Sequence, residues 1–152
     1  MKTATVIGAN GTMGKNVAAI LASFGDMEVY MMARSMEKAE KAVQDVGNCV
    51  RASVINSHCT PVDYSKFEEC VKNSDFIFES VIEDIEIKKE VTKKIGECIE
   101  NSDTIIATGT SGLSVNELAE VLPEGLRKNY LGMHFFNPPY KMTLCEIIGA
   151  TW

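Results

Sequence analysis

At 152 residues the chain has room for one domain with an ordinary hydrophobic core, so it needs neither disulfides nor a structural metal to fold. Its five cysteines, Cys49, Cys59, Cys70, Cys98 and Cys145, are odd in number with no Cys-x-x-Cys pair, the pattern of reduced thiols in a cytoplasmic protein, and His58-Cys59 has no second pair to complete a metal site. A net charge of −6 excludes a broad nucleic-acid interface, and no apolar run approaches the roughly 18–20 residues of a membrane span.

The opening MKTATVIGANG enters a strand pattern at once, with no secretory signal. Strand-length apolar runs follow at 3–7, 28–32, weakly near 54–57, then at 75–79, 104–108, 131–136 and 145–148. Between them lie stripes of helical period: Met13, Val17, Leu21 and Phe24; Ala39, Val43 and Val46 in one helix over about 36–46; and Ile87, Val91, Ile95 and Ile99. These stripes read as core. Ser114-Val115-Asn116-Glu117 has the Ser-x-x-Glu form of a capping box and opens a short helix within 111–122. The alternation predicts an α/β fold with a mostly parallel sheet and crossover helices. The run 145–152 reads as a strand with no closing helix, so residues 1–152 are expected to be one domain of a longer protein.

Directly after the first strand comes Gly8-Ala9-Asn10-Gly11-Thr12-Met13-Gly14, leading into a helix. Glycines there let the backbone turn tightly and approach a pyrophosphate, while the helix start offers unpaired N–H groups. The loop predicts a dinucleotide cofactor and a Rossmann-type, doubly wound fold of three αβα layers. NAD-binding strands of this kind end on a carboxylate that takes the ribose hydroxyls. Here the second strand ends on Ala33-Arg34-Ser35, with Lys38 one turn further on. Arg34, Ser35 and Lys38 are suited to a 2′-phosphate, which favours NADP.

Val6-Ile7-Gly8 through Gly14, Asp75 through Glu83, Ala107-Thr108-Gly109-Thr110-Ser111-Gly112-Leu113 and, most specifically, His134-Phe135-Phe136-Asn137-Pro138 together resemble the 3-hydroxyacyl-CoA dehydrogenases in their N-terminal NAD(P)-binding domain. The resemblance implies that His134 is the general base for a substrate hydroxyl, Glu146 its orienting carboxylate, and Ser111 a hydrogen-bond donor to the reacting oxygen. It implies that Glu79 and Lys88 lie along the nicotinamide ribose, with Asn137 shaping the same mouth. It further implies NAD as the cofactor, against the NADP favoured by Ala33-Arg34-Ser35, an acyl-CoA or 3-hydroxy acid substrate, and a homodimer formed through a helical C-terminal domain absent from this chain. Without that domain, the chain is expected to bind cofactor and turn over poorly.

Two further features depart from the family pattern. Only one helix fits before the third strand, leaving the CoA contact open, and Thr108-Gly109 stand where the family has Ser-Asn. An NADP-dependent 3-hydroxyacid or imine-type reductase domain, and a nucleotide-sensing module without turnover, remain the alternatives.

Overall fold

The computed structural model describes residues 2–47, 52–142 and 144–151; Cys49 and Trp152 lie outside the described residues. Strands β1 (Lys2–Ile7), β2 (Met27–Ala33), β3 (Cys59–Asp63), β4 (Phe76–Glu79), β5 (Ile105–Thr108), β6 (Tyr130–Phe135) and β7 (Cys145–Gly149) form one sheet in the order β3-β2-β1-β4-β5-β6-β7. Every neighbouring pair is parallel except β6 and β7. A parallel crossover takes about a dozen residues or more, so the short connection over 136–144 can only bring the chain back antiparallel.

Among the described residues, seven α-helices flank the sheet: α1 (Thr12–Phe24), α2 (Met36–Gly47), α3 (Ala52–His58), α4 (Phe67–Lys72), α5 (Ile85–Cys98), α6 (Val115–Ala119) and α7 (Glu124–Arg127). Ala4, Val6 and Ile7 of β1 are fully buried on both faces, as a central parallel strand requires. One face of the sheet packs Ala4, Val6, Met31 and Phe78 against Val17 and Ala18 of α1, Val46 of α2 and Ile55 of α3. The other packs Ile7, Met32, Ile77 and Ile106 against Phe67 of α4, Ile95 of α5 and Leu118 of α6. This is the doubly wound, three-layer fold expected. The strand order reverses between β1 and β4, and open α/β sheets bind ligands at such a point, beyond the carboxyl ends of the strands.

Three expectations are corrected. The weak strand near 54–57 is the middle of helix α3, and the third strand is Cys59–Asp63. Short apolar runs do not distinguish helix from strand, and Pro61 disguises the true strand; proline is tolerated there because β3 is at the sheet edge. The excursion before the third strand accordingly holds two helices, α2 and α3, rather than one. Finally, Phe24 and Ile87 belong to helical stripes but are 64% and 41% exposed. Phe24 lies at the end of α1, beside Tyr140 and Leu144, and Ile87 faces the ligand crevice.

Candidate active site

The glycine loop is held by backbone bonds. Gly8 and Ala9 N–H both donate to the Met32 carbonyl, at 3.0 and 2.9 Å, tying the loop to the end of β2. Gly8 has φ +80°, and a Cβ on it would stand 2.5 Å from the Ser80 carbonyl oxygen, so only glycine fits without strain. Gly11 is different. Its backbone is extended, and a Cβ there would lie 3.3 Å from the Gly8 oxygen and otherwise point into the opening. Gly11 caps α1 without a side-chain hydrogen bond, and the first turn has no acidic residue, so the amides around Thr12 to Gly14 are available to an anion. The cradle fits a pyrophosphate.

From this loop a cavity of about 560 Å³ extends across the strand-order reversal. Gly8, Asn10 and Gly11 form one wall, while Val81, Ile82, Ile87 and Val91 supply apolar surface suited to a flat base. Arg34 enters from the end of β2, near Tyr64; burial pushes the Tyr64 phenol up, partly offset by the Arg34 charge. Lys94 lies on the same cavity, with its ammonium 4.5 Å over the Phe67 ring. Ser35 and Lys38 are not in its lining: the Ser35 hydroxyl accepts from the Lys38 N–H at 3.4 Å, within the first turn of α2.

Glu79 and Lys88 sit beneath the crevice rather than on its surface. Their side chains are 0% and 1% exposed and paired at 2.8 Å. The other Glu79 oxygen accepts from Thr108 Oγ1 at 2.7 Å, and its first also accepts from the Val81 N–H at 2.6 Å. Burying two charges is tolerable only when they are paired and hydrogen-bonded, as here. The pair supports the β4 loop from below, with both side chains almost wholly buried. Tyr130 adjoins the same network, its hydroxyl 3.5 Å from Thr92 Oγ1, and burial raises its phenol well above the ordinary range. Glu83 was given no role by the sequence, yet it reaches the neighbouring loop. Its Oε1 accepts from Thr110 Oγ1 at 2.5 Å and from the Ser111 and Gly112 amides at 2.8 and 3.2 Å.

His134 and Glu146 are direct partners in the antiparallel register of β6 and β7, with Nδ1 2.8 Å from Oε2. A neutral imidazole that donates Nδ1–H to the carboxylate keeps the lone pair on Nε2, so the arrangement can present a proton acceptor at the sheet edge. Phe136 meets the imidazole edge-on at 5.0 Å between centroids. Thr108 pairs with Gly132, so the loop carrying Ser111 leaves β5 beside the strand that carries His134. Ser111 and Asn137 are both exposed at this carboxyl edge. Gly109, where the resemblance would place asparagine, is explained by packing: a Cβ there would come within 2.8 Å of the Phe78 ring.

Residues 3–152 match the family described as 3-hydroxyacyl-CoA dehydrogenase, NAD binding domain. A 3-hydroxybutyryl-CoA dehydrogenase of Clostridioides difficile is 33% identical over 95% of this chain and 53% of its own length. A probable 3-hydroxyacyl-CoA dehydrogenase of Bacillus subtilis is 28% identical over 97% of this chain and 22% of its own. The crystal structure of (S)-3-hydroxybutyryl-CoA dehydrogenase from Ralstonia eutropha superposes with a TM-score of 0.85 at 27% identity, covering 99% of this chain and 54% of that one. The chain thus spans about half or less of the length of these relatives. With its glycine cradle and its sheet order, the chain belongs to the 3-hydroxyacyl-CoA dehydrogenase family, of which it is the NAD-binding domain.

Proposed function

We propose that this chain is the cofactor domain of an oxidoreductase that moves a hydride between NAD(P) and C3 of a 3-hydroxyacyl-CoA. The observation that carries the reading is the His134–Glu146 pair at the carboxyl edge of a sheet whose glycine loop is shaped for a pyrophosphate. Gly8, Asn10, Gly11 and the first amides of α1 would hold the phosphates, and Arg34 would lie against the adenosine end. When bound, the nicotinamide supplies the hydride acceptor or donor.

The remaining work falls to this chain's own side chains. In oxidation, His134 Nε2 takes the proton from the substrate hydroxyl while Glu146 stabilises the imidazolium that forms; in reduction, the imidazolium returns it. The Ser111 hydroxyl would donate to the same substrate oxygen, and Asn137 would border the opening. The part that relatives carry beyond this length would complete the acyl pocket and form a homodimer, and the protein would work in the cytoplasm. Among the described residues no helix is long and apolar enough to cross a membrane.

One observation favours NADP. Strand β2 ends on Ala33 rather than on a carboxylate, and Arg34, the next residue, lines the cavity. Calorimetric titration of the chain with NADH and NADPH at matched salt tests both points. Binding is expected, with NADPH preferred; binding of neither would overturn the reading of the glycine loop.

A further inference from the structure

The two loops that frame the candidate active site, one after β4 and one after β5, are bridged by the Glu83 side chain. Glu83 belongs to the first loop and is 44% exposed, yet one of its oxygens collects three donors from the second: Thr110 Oγ1, the Ser111 amide and the Gly112 amide. Its other oxygen faces the buried Lys88 ammonium at 3.6 Å. Lys88 is itself fixed by Glu79 at 2.8 Å and by the Val81 carbonyl at 3.3 Å. The anchor under Glu83 is thus part of the core. Two consecutive amides aimed at one carboxylate oxygen form a small anion nest, and the protein fills this nest itself. Thr110 Oγ1 also accepts from the Leu113 N–H at 3.1 Å, so the clamp extends to the residue before the α6 cap.

We propose that Glu83 is a positioning residue, which locks the 110–112 loop to the β4 loop and sets where the Ser111 hydroxyl stands. The bond to Ser111 runs through its amide, so its hydroxyl stays available to a substrate oxygen. Loops at ligand sites are the parts of a fold that open most readily, and here the Glu83 carboxylate adds a polar restraint to the packing of Val81 and Leu113 on the core. Ser111 and Gly112 are exposed, and a Cβ on Gly112 would meet nothing within 4 Å. The significance for catalysis rests on the reading of Ser111 under Proposed function; the clamp itself does not.

Hydrogen exchange on the 152-residue chain tests it, with Glu83→Ala and Glu83→Gln beside the parent. In Glu83→Ala the Ser111 and Gly112 amides are expected to exchange about 10-fold faster or more, while the core strand amides keep the parent's rates. In Glu83→Gln, whose amide oxygen still accepts, much of the protection returns. Equal exchange of Ser111 and Gly112 in the parent and Glu83→Ala would overturn the proposal. So would faster exchange throughout the sheet, which would make Glu83 a residue of general stability. Cofactor titration of the parent reports separately on the functional reading, so either conclusion can fail without the other.

Discussion

His134 and Glu146 face each other as register partners across the β6–β7 ladder, Nδ1 2.8 Å from Oε2. Their meeting is fixed by backbone pairing rather than by a flexible loop. It depends on β7 running antiparallel, because only then does a residue so close in sequence return beside β6.

That dependence gives the first prediction. In a form of the protein carrying the full length of its relatives, His134→Ala should lower kcat by on the order of 10²- to 10⁴-fold, the range for loss of a general base. Glu146→Gln should also lower kcat steeply, because a neutral amide can stabilise the wrong tautomer and cannot balance an imidazolium. Cofactor affinity of the 152-residue chain should be unchanged by either substitution. Undiminished turnover in His134→Ala would end the catalytic assignment.

The glycine loop makes a second, contrasting pair. Gly11→Val should abolish binding of NADH and NADPH while leaving the thermal midpoint close to the parent's, since the space beyond a Cβ there is open in the unliganded protein. Gly8→Ala should cost about 1–3 kcal/mol of stability, because it combines a left-handed φ with a Cβ 2.5 Å from the Ser80 oxygen. Denaturant unfolding and calorimetry separate the two. Equal effects on binding and on stability in both variants would mean that the loop is structural only.

Much of this was legible in the sequence because it depends on local patterns. Glycines between a strand and a helix, and the strand run over 131–136 followed by Asn137-Pro138-Pro139, mark the crevice without any knowledge of tertiary structure. The misplacement of the third strand came from the same locality: Val54-Ile55 is as apolar as a short strand, whereas Cys59–Asp63 contains Pro61 and two polar residues and declares itself only by pairing with β2. The burial of Glu79 and Lys88 was not legible in the sequence, because residue type does not report burial. Their ion pair exists only once β4, β5 and α5 are assembled. Glu83 was passed over for a related reason, its partners lying 27 to 29 positions away.

The buried pair supports a third prediction. Lys88→Met leaves the Glu79 carboxylate without its cation at 0% exposure and should destabilise the chain by about 3–5 kcal/mol. Adding Glu79→Gln should recover a substantial part of that loss, since the amide oxygen can still accept from Thr108 and no charge remains buried. Denaturant melts of the two single variants and the double variant read the coupling directly. Additive losses would mean that the pair does not act as one unit.

The thiols provide a pH prediction. Burial, with the Glu28 charge adding to it, pushes Cys59 up to about 12, and burial pushes Cys70 to about 11. Both raised values favour the neutral thiol in the folded state. Their stabilising contribution is therefore complete below the ordinary thiol value of 9.0 and is lost as the pH rises towards 11–12. Peptide-resolved alkylation at pH 8 should leave Cys59 and Cys70 unmodified in the folded chain, and modify both in denaturant. Rapid alkylation of either in the folded state would contradict the burial described here.

The proposed preference for NADP rests on Arg34. A guanidinium at the cavity edge can pair bidentately with a 2′-phosphate, and charge-assisted bonds of that kind are worth about 1.5–3 kcal/mol, or roughly 10- to 100-fold in affinity. Arg34→Ala should therefore weaken NADPH binding by about 10-fold or more, while changing NADH binding much less. Arg34→Asp should go further and reverse the preference, because a carboxylate at that strand end repels the 2′-phosphate and can accept from the ribose hydroxyls. The NADPH loss should shrink as salt rises, since the pair is exposed. Equal weakening of both cofactors by Arg34→Ala would assign Arg34 to stacking against the adenine, a contact that does not distinguish them, and would leave NAD as the cofactor of this domain.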